Sequence, residues 1–195
     1  METLLALVGF SFVSSVTPGP NNVLLWASGA SFGFQATVPH ILGTAVGIGS
    51  MALVMAAGVG TLFTAIPEIG LVMKVGASVY LLYLAYRIAG ARVLEQGKLA
   101  RPLGFLGAAA FQAVNPKAWI FALGAVTAFR PPEYPVLAGA LLVALTMTIV
   151  VIPTAALWAG AGGVLGRLMT RDRTRRAVSL ALALLLAATV VYVWL

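Results

Sequence analysis

Ser14-Ser15-Val16-Thr17-Pro18-Gly19-Pro20-Asn21-Asn22 interrupts one apolar run, and Gln112-Ala113-Val114-Asn115-Pro116-Lys117-Ala118 interrupts another. Pro18 and Pro116 lie 98 positions apart in a chain of 195 residues. A proline removes an N–H donor and clashes with the preceding turn, so a helix must kink or open at each place. In hydrocarbon the carbonyls freed there need partners inside the protein, or in a cavity holding water or solute. Two interrupted helices at matching places in two half-chains point to a solute-binding site between the halves.

Composition sets the setting for these breaks. Hydrophobic residues make up 61% of the chain and charged residues 9%, and the mean hydropathy is +1.03. A soluble domain carries about 25% charged residues, so the class is an all-α integral membrane protein in contact with the lipid bilayer. Met1-Glu2 opens on an acid, without the basic n-region or cleavage site of a signal peptide. The first apolar run is therefore expected to remain as a span. With no cysteine there is no disulfide, thiol nucleophile or thiolate metal site. The net charge of +7 would suit nucleic acid if it formed a patch, but it is confined to short connections between spans. Nucleic acid is therefore not expected as a partner.

About 20 apolar residues cross a bilayer, and six such runs are present. They are roughly Leu4 to Leu25, Val38 to Phe63, Leu71 to Ala89, Gly104 to Thr127, Val136 to Leu157 and Ala177 to Leu195. Pro39 is expected in the first turn of the second helix, with Pro67 and Pro131-Pro132 in connections. Arg87, Arg92, Lys98 and Arg101 mark the third connection; Arg167, Arg171, Arg173, Arg175 and Arg176 mark the fifth. Lys74 and Arg130 fall on the opposite side, and Lys117 at depth. The positive-inside rule places the third and fifth connections in the cytoplasm and both termini outside. Three spans per half reverse the second half in the membrane. The expected fold is thus six transmembrane helices as a 3+3 inverted repeat, with the first and fourth helices broken at proline. It forms one domain over 1–195, with halves of about 1–97 and 98–195.

Polar groups gather at the two breaks. Thr17, Asn21, Asn22, Gln112 and Asn115 can bind the ends of a zwitterion, or replace hydrogen bonds lost at the prolines and join helices. Gly19, between Pro18 and Pro20, leaves backbone groups open to a solute. Lys117 is an ionisable residue at membrane depth, a functional candidate by default. It can also snorkel, or pair with carbonyls exposed at Pro116. No span contains a carboxylate: Glu2, Glu68, Glu95, Glu133 and Asp172 lie at the terminus or in connections. His40, near the start of the second helix, reads as a polar helix-end residue, or, should a proton gradient drive the protein, as a coupling group alongside Lys117 and the substrate's own ionisation. Gly43, Gly47 and Gly49 suit close helix packing. Tyr80 and Tyr83 are expected to pack or face a cavity, and Trp158, Tyr192 and Trp194 to anchor span ends. Pro153 should kink the fifth helix.

Enzyme chemistry finds no support: there is no metal-ligating cluster, no Ser-His-Asp set and no P-loop. No metal and no cofactor is expected.

Thr17-Pro18-Gly19-Pro20-Asn21, Gly43-x-x-x-Gly47, Tyr80-Leu81-x-Tyr83-Leu84 and Asn115-Pro116-Lys117-Ala118 follow one another as in the LysE/RhtB family of amino-acid exporters, which the chain resembles almost end to end. The resemblance implies efflux of amino acids or derivatives across the bacterial inner membrane, driven by proton motive force, through an inverted-repeat fold. The sequence looks nearest the branch exporting cysteine and O-acetylserine. Many members carry an acid just after the glycine matching Gly47, where Ile48 stands here. That departure favours zwitterionic or neutral amino acids over cationic ones.

The expectation is alternating access, with substrate bound near the midplane between the broken helices. Thr17, Gly19, Asn21 and Asn22 would hold one end of the substrate, and Asn115 and Lys117 its carboxylate. Pro18, Pro20 and Pro116 would keep the breaks open. The rival readings are an uncoupled channel, a lipid-handling protein, or a scaffold subunit of a larger complex. A homo-oligomer is compatible with all of them.

Overall fold

A computed structural model describes residues 2–59, 67–90, 102–168 and 172–194. These residues form eight α-helices and one π-helical segment, with no strand among them. In chain order the helices are α1 (Glu2–Val16), α2 (Pro20–Phe32), α3 (Phe34–Val54), α4 (Pro67–Gly90), α5 (Phe105–Val114), α6 (Pro116–Phe129), α7 (Val136–Leu168) and α8 (Asp172–Trp194). The π-helical segment Met55–Val59 continues α3. Phe34–Val59 and Val136–Leu168 are each long and apolar enough to cross a membrane. Glu2–Val16 and Pro20–Phe32 pass the same test together, bent by 61° across their break.

Both breaks fall at the expected prolines. Pro20 and Pro116 each occupy the first turn of the second piece, where the missing N–H costs nothing. Gly19 before Pro20 and Asn115 before Pro116 are extended, as the pre-proline clash requires.

Helix α3 packs on α7, α5, α2 and α6. A buried core of Leu7, Ile48, Met51, Phe121, Val143 and Met147 joins α1, α3, α6 and α7. Helix α4 pairs with α8, and their Leu81, Ile88 and Leu186 enclose Val23 and Trp26 of α2 in a second core. Lys74 and Trp194 tie this pair together. The ammonium lies 5.9 Å from the indole ring centre, and Trp194 Nε1 donates to Ser78 Oγ at 2.9 Å.

Several sequence expectations are corrected here, among them Pro67, which opens α4 rather than lying in the connection before it. Pro39 lies inside α3, in its second turn, because Gly33 starts the helix early. With φ 83°, Gly33 reverses the chain between α2 and α3 in a single residue, a conformation open to glycine at little cost. The fifth run continues past Leu157 to Leu168, so Arg167 belongs to the last turn of α7. Arg173 and Arg176 likewise lie inside α8. The Gly-rich extension looked like a span edge, yet it is a packing surface. A Cβ on Gly162 would come within 2.0 Å of the Trp26 carbonyl oxygen, and one on Gly29 within 2.0 Å of that of Ala159. Backbones this close give the helix its tertiary support.

Gly43 and Gly47 pack as expected. A Cβ at Gly43 would lie 2.2 Å from the Phe105 carbonyl oxygen of α5, and one at Gly47 would meet Gln112 and Ala109. Gly49 meets Thr148 of α7 in the same way. Pro153 stands inside α7. Arg92, Glu95, Lys98, Arg101 and Arg171 lie outside the described residues, as do the side chains of Arg87, Arg175 and Tyr192.

Candidate functional site

The end of α1 shows what the break demands. A helix leaves its last carbonyls without intrahelical partners, and at membrane depth each must be met by the protein or by water. Asn22 Nδ2 donates to the carbonyls of Ser15 and Thr17, both at 2.8 Å. Trp158 Nε1, from α7, donates to the Val16 carbonyl at 3.1 Å. Lys117 Nζ donates to the carbonyls of Thr17 and Pro18. The carbonyls of residues 15–18 are thus all answered by side chains from α2, α6 and α7. Lys117 therefore pairs with carbonyls across the molecule, at the first break rather than at its own.

A second network lies beside the first. Asn21 Oδ1 accepts from Thr44 Oγ1 at 3.1 Å and from Gln112 Nε2 at 3.0 Å. Gln112 also donates to the Ala108 carbonyl at 3.0 Å and accepts from Asn115 Nδ2 at 3.1 Å. Asn115 Oδ1 accepts from the Lys117 amide at 3.2 Å, capping α6. Thr44, Asn21, Gln112 and Asn115 are all buried, and their polar atoms satisfy one another.

The two helix starts facing this region differ. The α6 terminus is capped by Asn115, whereas α2 begins after Gly19, which supplies no side-chain cap. The first amides of α2 therefore stay available, and an uncapped N-terminus favours an anion. The Lys117 side chain lies against Gly19, since a Cβ there would meet its Cδ at 2.8 Å and Nζ at 3.3 Å.

A cavity of about 400 Å³, counting its open side, lies between these parts. Gly19, Asn21, Asn22, Asn115 and Lys117 line it, so five of the six expected binding residues come together. Thr17 does not join them. Its hydroxyl donates to the Val13 carbonyl of its own helix, and it contributes only its carbonyl to Asn22 and Lys117. Pro20 is buried, Pro18 exposed and Pro116 half-buried.

Sequence reasoning did not assign Ser14, Ser15, Thr44, Ile48, Phe121 and Thr154, which also line the cavity. Thr44 could have been found, since it sits between Gly43 and Gly47 on the helix that packs closely on α5. Ser15 donates to the Phe12 carbonyl at 3.2 Å, and Thr154 to that of Val151 at 2.9 Å. Each hydroxyl keeps its lone pairs for the cavity. No Asp or Glu lines it, and Ile48, the departure from the family pattern, forms part of its apolar wall together with Phe121, Ala118, Val151 and Ala155. Tyr80 lies outside the cavity, its ring 5.9 Å from that of Phe111.

Two broken or adjoining helix starts around a polar cavity in an apolar helical body define a membrane protein that handles a small solute. The model of the LysE type translocator family matches residues 12–194, and the chain belongs to that family: it is a translocator and not an enzyme. It is similar to the cysteine/O-acetylserine efflux protein of Escherichia coli strain K12, 27% identical over 184 residues that cover 94% of each chain. The protein of the same name from Shigella sonnei strain Ss046 gives the same figures. That of Escherichia coli O139:H28 is 26% identical over the same length and coverage. No solved structure matches significantly.

Proposed function

We propose that this protein exports small zwitterionic or neutral amino acids, of the size and polarity of cysteine or O-acetylserine, across the bacterial inner membrane. The observation carrying this reading is the uncapped start of α2 beside Lys117 in a cavity lined by no carboxylate. Amides at the positive end of a helix, together with an ammonium, suit a substrate carboxylate. The lone pairs of Ser15 and Thr154 suit its ammonium group. A small side chain fits the wall of Ile48 and Phe121.

In this reading Gly19, Asn21, Asn22 and Lys117 form the binding surface, with Asn115 positioning Lys117 through the α6 cap. Thr17 acts through its carbonyl. The fold is read as six spans in a 3+3 inverted repeat, with both termini outside, moving by alternating access and driven by proton motive force. The helix contacts support the repeat. Exchanging the halves turns the α1–α7 contact into α5–α3, and the α2–α7 contact into α6–α3, and all four occur.

The test is export of labelled cysteine, O-acetylserine and other neutral amino acids from cells expressing the protein, with and without an uncoupler. Asn21→Ala should abolish export at unchanged membrane abundance, because the amide it loses joins Thr44 and Gln112 at the cavity wall. Export that persists in this variant removes the site. Flux that runs only downhill and ignores the uncoupler makes the protein a channel.

A further inference from the structure

His40 is 1% exposed, and neither ring nitrogen has a hydrogen-bond partner among the described residues. Such an imidazole is expensive to bury, since an unsatisfied polar group in an apolar interior forfeits the hydrogen bonds it makes in water. The surroundings of His40 offer a reason for keeping it.

Thr37, His40 and Thr44 follow one another at spacings of three and four, so they share one face of α3. Thr44 Oγ1 donates to Asn21 of α2 at the cavity. Thr37 Oγ1 donates to the Gly33 carbonyl at 2.9 Å and so accepts from Ser28 Oγ of α2 at 3.0 Å. The two interhelical bonds have the register of an antiparallel pair, in which His40 falls midway between them. At these spacings the Cβ of His40 lies about 5 to 6 Å from those of Thr37 and Thr44. Neither ring nitrogen bonds either hydroxyl directly, so a bridging water would have to join them. A line of polar groups thus runs from the cavity through Asn21, Thr44, His40, Thr37 and Ser28 to the turn at Gly33.

The charges around this line are few. Among the elements packed on α3, α2, α5 and the π-helical segment carry no titratable residue, α6 carries Lys117, and α7 carries only Arg167 at its exposed last turn. Tyr80 of α4 approaches α5 through Phe111. No carboxylate on these elements can carry a proton.

We propose that His40 is the proton-binding site of this transporter, loaded through the polar line between the cavity and the Gly33 turn. The step balances simply. A ring-nitrogen lone pair takes a proton from water on one side, giving imidazolium, and returns it to water on the other side, restoring imidazole. The proposal rests on the export reading above for its place in a cycle, but the proton site itself does not.

Two measurements test it. His40 is the single histidine of the chain, so protein labelled with ¹⁵N-histidine and purified without a polyhistidine tag reports on this ring alone. In nanodiscs, its signals should convert between neutral and doubly protonated forms as pH is varied from about 8 to about 3, a range that allows for burial disfavouring the imidazolium, and its N–H should exchange with water. In proteoliposomes with cysteine or O-acetylserine as probe, His40→Gln should lose accumulation driven by a pH gradient about tenfold or more. It should keep counterflow exchange, which needs no net proton movement. A ring that stays neutral and closed to water over that range overturns the proposal. So does wild-type gradient-driven accumulation by His40→Gln. If the wild-type protein carries neither probe, the export reading fails, and the ring titration still decides the proton site.

Discussion

Asn22 and Lys117 share one acceptor, the Thr17 carbonyl, and that sharing predicts how their variants combine. Asn22→Ala removes two interhelical hydrogen bonds. Such bonds in membranes average about 0.6 kcal/mol and reach about 1.7, so this change should cost about 1–2 kcal/mol. Lys117→Met removes the donor to Thr17 and Pro18 while preserving much of the side-chain bulk. Because Lys117 is half-buried at an open cavity, solvent screening limits its loss to about 1 kcal/mol. Either single variant leaves the Thr17 carbonyl one donor, whereas the double variant leaves it none. An orphaned buried acceptor costs about 1–3 kcal/mol, and the exposure of Thr17 favours the lower end. The double variant should therefore lose about 1 kcal/mol more than the two singles added together. Reversible unfolding of all four proteins in mixed micelles or bicelles measures this excess. Independent sites add within about 0.3–0.5 kcal/mol, so additivity inside that margin would refute the shared cap.

Two further outcomes follow from the packing. Gly162→Ala places a methyl 2.0 Å from a backbone oxygen of α2 and should destabilise by about 3 kcal/mol, the upper part of the overpacking range. Gly9→Ala, with open space around it, should be neutral or slightly stabilising, and equal thermal stabilities for the two variants would contradict the close contact. Ile48→Glu introduces a carboxylate into the cavity wall and should shift competition from neutral towards cationic amino acids by about tenfold, roughly 1.4 kcal/mol. Unchanged selectivity in that variant would separate Ile48 from the substrate.

Much of the local design was legible before the fold. Pro18, Pro20 and Pro116 dictated where two helices must open, because a missing donor and a steric clash act within one turn. The apolar runs dictated a helical membrane protein, since backbone groups at that depth must be satisfied within the segment. The polar residues at both breaks followed from the same need. Helix ends were harder: the glycines after Leu157 look like a loop until Trp26 and Ala30 of α2 lie against them.

What the sequence could not decide was which partner each polar group takes. Lys117 stands 100 positions from Thr17, and only the packing of α6 beside α1 sends its ammonium to that carbonyl. Nothing in the sequence pairs Trp158 with Val16, and only the packing of α7 brings its indole to that carbonyl. The sequence leaves His40 as either a helix-end polar group or one of several coupling candidates, and its burial shows only once α2, α5 and α7 close around α3. Proline and hydropathy act through the chain's own neighbours, so sequence alone determines the breaks and the membrane setting. Hydrogen bonds between distant segments depend on where the helices meet, and that is settled by tertiary structure.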